Sequence, residues 1–197
     1  MQARLLDATV ECLVELGWAK TSLPEVVARA GVGRGAQVHH FPTKAALMEA
    51  VGDHLLARHR GEFVSAFSAL SPSERTPSAA IEALWTVFGG PTWIAVMELA
   101  VAGRTDASAR VALRNFTGRV DDTVLEVAAE HFPVVQTDPA GPAMVRGLLA
   151  LLVGLAMQTA IDGDRHGHQA EVFAYLKVLA DVLVPTPSQP DPAPATP

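Results

Sequence analysis

The sequence predicts an all-α protein of about nine helices, and three observations carry that prediction. Apolar residues recur three and four apart along most of the chain, with Pro and Gly clusters between the periodic segments and no strand-like alternation or internal repeat. Residues 21–47 spell two short helices joined by a tight turn. The 197 residues are 49% hydrophobic and 18% charged, which suits a small head and one larger domain with its own core and excludes wholesale disorder.

The first predicted helix enters its pattern at once and ends at Leu16-Gly17-Trp18, with Leu5, Thr9, Cys12, Leu13 and Leu16 on one inner face. Cys12 is the single cysteine. It reads as core and is compatible with a reducing compartment, since it has no internal partner for a disulfide. Asp7 and Glu11 near the start, with no apolar signal region, give no secretion address.

A second helix starts near Leu23. Ser22 is placed to cap it with Glu25 at the third helical position, and Pro24 sits in the first turn, where a missing N–H costs nothing. Val26, Val27 and Ala30 form its apolar face, Gly31 supplies the left-handed turn residue, and Val32 anchors the turn. A third short helix spans 34–40 and stops at Phe41-Pro42, because the residue before a proline disfavours helical geometry. Thr43 then caps a helix over 44–70. Two short helices about a tight turn form a helix-turn-helix, the element that enters a DNA groove.

This stretch resembles the DNA-binding head of the TetR family of bacterial transcriptional regulators. The resemblance covers Leu5 to about Val51: Leu16-Gly17-Trp18, the Thr21-Ser22 start of helix two, Ala28-x-Ala30-Gly31-Val32, and Phe41-x-x-Lys44-x-x-Leu47. It departs from the family at Gly33, where a serine or threonine is usual, at Ala36, where threonine is usual, and at Gln37-Val38, where an apolar residue and tyrosine are usual. The swap at 37–38 turns Val38 inward towards Phe41 and Gln37 towards the groove, where glutamine can pair bidentately with adenine. The expected DNA contacts are Thr21, Ser22, Arg34, Gly35, Gln37, His39, His40 and Lys44, with Lys44, His39 and His40 on phosphates and Arg34 and Gln37 as the better candidates for base contacts; the family's usual base contacts do not carry over to the departing positions, and phosphate or water is an equal alternative for Gln37.

The charge distribution fits. Residues 17–60 hold six basic against three acidic side chains, a net +3, whereas residues 61–197 hold eight against fifteen, a net −7. The head attracts nucleic acid and the body repels it.

Beyond residue 70 the punctuation predicts helices over 78–88, 92–102, 107–131, 142–161 and 168–184, with breaks at 71–77, 89–91, 103–106, 133–141 and 162–167. The expected organisation is a DNA-binding domain over 1–50, a ligand-binding and dimerisation domain over 51–184, and a disordered Pro-rich tail over 185–197. Residues 98–106, Glu-Leu-Ala-Val-Ala-Gly-Arg-Thr-Asp, resemble a segment of one branch of TetR-like regulators, with Asp106 near an N-cap and no chemistry assigned to it.

The 142–161 helix is apolar around most of its circumference and must be covered on two sides. Its Leu148, Leu152 and Leu155, with Val172, Tyr175, Leu176 and Leu179 of the last helix, are the expected dimer interface, as the resemblance also implies. Its longest apolar run, 147–156, is too short to span a membrane. Trp85, Phe88, Trp93, Met97, Phe116 and Met157 are the expected lining of an apolar ligand pocket, with Met144 beside them and few polar groups near (Asn115, Arg119, Gln158 and Thr159).

No serine nucleophile elbow, glycine-rich phosphate loop or HExxH pair occurs. His39-His40 point about 100° apart on a helix and suit phosphates better than one metal ion, and the Asp- and His-rich loop at 162–168 lacks ligand spacing. No enzyme activity, cofactor or metal is expected. The expectation is a cytoplasmic, homodimeric, TetR-like regulator that represses a palindromic operator and is released by a small apolar or aromatic effector. Two alternatives stay open: a ligand-binding helical protein with a degenerate DNA-reading head, and a helical enzyme.

Overall fold

The computed structural model describes residues 1–33, 35, 39–114, 116–163 and 167–184, and only the backbone at Thr117 and Gly118. Ten α-helices and no strand occur among the described residues: α1 Gln2–Leu16, α2 Leu23–Ala30, α3 Lys44–Ser68, α4 Pro77–Phe88, α5 Pro91–Ala102, α6 Ala107–Leu113, α7 Phe116–His131, α8 Val134–Thr137, α9 Gly141–Asp162 and α10 Gln169–Leu183. A 3-10 turn at Trp18–Lys20 links α1 to α2.

The local signals act as their chemistry requires. Ser22 Oγ accepts the Glu25 N–H (3.4 Å), Pro24 lies in the first turn of α2, and Gly31 ends that helix at φ 59°. Thr43 Oγ1 accepts the Ala46 N–H (3.1 Å) to start α3. Arg4 closes the far end of α2 by donating to the Ala30 carbonyl (2.6 Å), a cation placed where the helix dipole is negative. Leu5, Thr9, Cys12 and Leu13 of α1, Val26 and Ala30 of α2, Phe41, and Leu47, Met48 and Val51 of α3 form the buried centre of the head.

Two expectations of helix layout are corrected. The predicted 107–131 helix is two helices, α6 and α7, and the predicted break at 133–141 holds the short helix α8. No glycine or proline marks the α6–α7 break. Tertiary packing makes it, since α6 is short and lies across α3 with Ala109 and Ala112 buried. In α8, Val135 is buried and anchors the turn between α7 and α9.

α3 runs unbroken through the expected domain boundary at 50/51, so head and body share one helix. α1 also packs along α5, and α3 crosses α6. α4 and α7 pack on α3, and α9 and α10 pack on α4 and on each other to complete the body. Among the described residues, α9 is the one single helix long and apolar enough to cross a membrane, and α4 and α5, bent by 68°, reach that length only together; Val145, Leu148, Leu152, Leu155 and Ala156 of α9 are buried in the body. The tail at 185–197 lies outside the described residues.

Candidate nucleic-acid interface and effector cavity

The head presents a mixed set of the expected DNA contacts. Ser22, Gly35, His39 and His40 are exposed, and the two imidazoles lie edge to face with centroids 5.2 Å apart. Arg34 and Gln37, the expected base readers, lie outside the described residues, as do Ala36 and Val38. Thr21 is corrected. Its side chain is 2% exposed and its hydroxyl donates to the Gly17 carbonyl (2.8 Å), so it holds the turn before α2 instead of facing a groove. Lys44 is half-buried at the first position of α3, donates to the Thr21 carbonyl (3.2 Å) and sits 3.9 Å from the Trp18 ring centroid. An ammonium has three donors, so this one bond leaves capacity for a phosphate.

The segment at 98–106, to which the sequence assigned no chemistry, clasps the head. The Trp18 N–H donates to Glu98 Oε2 across 80 positions of sequence (3.0 Å). Asp106 caps α6 by accepting the N–H groups of Ser108 (2.8 Å) and Ala109 (3.2 Å). Its carboxyl is held below the usual range, first by the Ala109 N–H, then by Ser108, by a hydrogen bond from the Trp18 side chain and by the charge of Lys44. Trp18 therefore meets the body through both its backbone and its indole. The second joint is Gly52 of α3: a Cβ there would stand 2.0 Å from the Ala112 carbonyl oxygen, so only glycine lets α3 and α6 approach this closely.

The body contains a small apolar cavity of about 50 Å³, walled by Phe63 and Phe67 of α3, Ile81 and Leu84 of α4, Val124 and Phe132 on the α7 side, and Leu148 of α9. All its lining side chains are hydrocarbon. None of the expected pocket residues lines it. Phe88 and Phe116 (each 2% exposed) and Trp93 instead gather around His59, with ring centroids at 4.9, 5.7 and 6.0 Å. Trp85 packs on Phe173 at 5.2 Å, Met97 is half-buried on α5, and Met157 is 45% exposed on the outside of α9. Aromatic and methionine residues at helical spacing mark apolar faces, and only the tertiary fold decides which faces enclose a space. Sequence reasoning missed His59, a lone imidazole on an otherwise apolar helical face. Burial lowers its pKa from 6.5 to about 4, against a small opposing effect of Glu62, so it is neutral at pH 7.

Comparison with known proteins agrees with this architecture. Residues 5–51 match the bacterial regulatory proteins of the tetR family. An HTH-type transcriptional regulator of Mycobacterium tuberculosis is 32% identical over 162 residues, covering 75% of this chain and 83% of the relative. The chain belongs to the TetR family. The HTH-type regulator CymR of Pseudomonas putida is 28% identical over 118 residues, covering 60% of this chain and 58% of CymR. Among solved structures, a TetR-family regulator from Rhodococcus sp. superposes with a TM-score of 0.73 at 15% identity over 93% of this chain and 97% of its own. The multidrug binding protein EbrR, complexed with imidazole, superposes at 0.66 with 25% identity over 95% and 91%. This chain is thus a TetR-family transcriptional regulator with a helix-turn-helix head.

In this TetR-family chain, the expected interface residues Leu148, Leu152, Leu155 and Leu176 prove to be core, none more than 6% exposed, because they face inward onto the body. Leu179 is half-buried. The outward face of the same two helices is apolar in its own right. Leu151 (51%), Met157 and Ile161 of α9 join Val172, Tyr175 (66%), Val178 (61%) and Val182 of α10. Between them Gly147 and Gly154 have open space above their Cα atoms. Of the expected set, Val172 and Tyr175 lie on this outer face.

Proposed function

We propose that this regulator acts in the cytoplasm as a homodimeric repressor of a palindromic operator and that a small apolar molecule in the body cavity releases it. The observation that carries the reading is α3. This one 25-residue helix, about 37 Å long, starts beside the recognition segment at Lys44 and lines the cavity at Phe63 and Phe67. An occupant that displaces its far end moves the head.

The contiguous apolar face of α9 and α10 supports pairing with a second copy, since faces of this kind on soluble chains mark interaction surfaces. A two-fold dimer also matches the symmetry of a palindrome, because its two recognition segments must enter successive major grooves about 34–36 Å apart. The likeness to EbrR, a multidrug binding protein, supports the ligand half of the reading.

The test is selection of genomic fragments retained by the purified protein, followed by footprinting. A discrete palindrome with half-sites about one helical turn apart is expected. Indiscriminate retention, or none, would refute operator binding and leave a ligand-binding protein with a silent head. Lys44→Ala should weaken operator and random DNA alike and lower the salt slope by about one. An unchanged slope would confine Lys44 to its bond with Thr21.

A further inference from the structure

Two buried polar side-chain atoms, His59 Nε2 and Trp93 Nε1, have no hydrogen-bond partner among the described residues. They belong to one aromatic cluster, in which the two rings lie 6.0 Å apart. His59 is 3% exposed and lines a small space between α3 and α7. That space and the apolar cavity share Phe63, Leu84 and Val124, so they adjoin. His59 is therefore a polar point beside a chamber whose walls are otherwise hydrocarbon.

We propose that the effector is an uncharged, mainly apolar molecule bearing a hydroxyl, whose oxygen pairs with His59 Nε2 while its hydrocarbon part fills the space beside Phe63, Phe67, Ile81 and Leu84. This rests on the reading of the cavity as the effector site. A hydrocarbon alone would leave both nitrogens unpaired, and a buried polar group without a partner is costly. A carboxylate would have to leave water for apolar walls: the imidazole is neutral, and the cation that lines the small space, Arg60, is exposed and can meet an anion without drawing it into the chamber. An ammonium meets the same apolar walls. A hydroxyl both donates and accepts, so it serves His59 in either neutral tautomer. A ketone or ether, which only accepts, serves one tautomer.

The experiment compares 4-propylphenol, propylbenzene and 4-propylbenzoate by calorimetry on the full-length protein at pH 7.5, and follows the His59 Nε2 resonance by nitrogen NMR. The phenol should bind at least tenfold more tightly than propylbenzene and the benzoate more weakly than both. His59→Phe should abolish the phenol's advantage and leave propylbenzene unchanged, and the Nε2 resonance of the unmodified protein should move with the phenol only. That last measurement decides the matter if the variant does not fold. Equal binding of phenol and propylbenzene with a static resonance would overturn the hydroxyl anchor and leave the cavity reading standing. Binding of neither, or binding that Ile81→Trp leaves intact, would overturn the cavity reading and the anchor together.

Discussion

Gly52→Ala tests the joint between the lever helix and the body, because two opposing effects compete there with known sizes. In a helix interior the substitution alone stabilises by about 1 kcal/mol through backbone propensity. Against this, the new Cβ would stand 2.0 Å from the Ala112 oxygen, with the Ala112 carbonyl carbon at 2.8 Å and its Cα at 3.0 Å. Ordinary contact begins near 3.4 Å, so α3 and α6 must part by about 1.4 Å. The obstacle is backbone within a helix and cannot swing aside, which places the overpacking cost at the upper end of its usual range, about 3 kcal/mol. The net expectation is a loss of about 2 kcal/mol, or a fall in Tm of roughly 4–8 °C for a chain of this size. Gly61→Ala is the control. It lies on the same helix with nothing within 4 Å of its Cβ and should stabilise by about 0.5–1 kcal/mol. Thermal unfolding of both variants is paired with operator titration, where Gly52→Ala should also change affinity through the displaced head. If Gly52→Ala instead raises Tm as Gly61→Ala does and binds DNA normally, the tight crossing is refuted.

Three further outcomes are expected. Tyr175→Glu or Val178→Glu places a charge on the apolar outer face and should convert a micromolar dimer to a folded monomer in sedimentation, whereas Leu152→Glu, fully buried in its own chain, should prevent folding; a persistent dimer in the first two would place the interface elsewhere. Glu98→Ala removes the acceptor of the Trp18 N–H and should reduce, several-fold, the ratio of operator affinities without and with effector, while Glu98→Gln, which still accepts, should retain it; an unchanged ratio in the alanine variant would remove the clasp from the coupling route. His59 gives a pH signature: its pKa is lowered on folding from 6.5 to about 4, so the unfolded chain binds the extra proton. Its contribution to stability is full above pH 6.5 and is lost as pH falls towards 4, to a total on the order of 3 kcal/mol. Urea unfolding of wild type and His59→Phe between pH 4 and 7.5 should show the slope in the first and a shallower one in the second.

The parts of the fold legible in the sequence are those made by local chemistry. Ser22, Pro24, Gly31 and Thr43 each act within four residues of themselves, and the helix-turn-helix follows from them. The ends of α4, α5, α9 and α10 lie within a residue or so of the Pro and Gly signals for the same reason. What escaped the sequence depends on distant partners. The α6–α7 break is set by packing on α3, and the clasp joins residues 18 and 98. α9 is apolar on nearly every side, so periodicity could say that it is covered twice but not which face meets which cover. Leu148 and Leu151 are only one turn apart, yet one is core and the other half-exposed. The expected pocket lining met the same difficulty, since of the large side chains chosen by type Phe88, Trp93 and Phe116 pack around His59, Trp85 packs on Phe173 and Met157 is exposed.

The placement of the cavity constrains how regulation can work. One wall is α3 itself, at Phe63 and Phe67, and another is Leu148 of α9, one turn from Leu151 on the apolar outer face of the same helix. In the proposed dimer, an occupant that parts these walls would act on the angle of α3 and on the pairing face together. The head does not follow α3 freely, because Trp18 is held by Glu98 and Asp106, and α3 is held at Gly52 by α6. Both restraints belong to α5, α6 and the turn between them, so a shift of α3 must either carry that unit along or break the clasp. Under the proposed regulation, an effector could lower operator affinity only by the difference between its affinities for the two arrangements, and operator DNA would weaken the effector by the same factor. Titrating 4-propylphenol with and without the selected operator measures that factor from both sides. Equal ligand affinity in the two titrations would mean that the cavity and the head are not coupled at all.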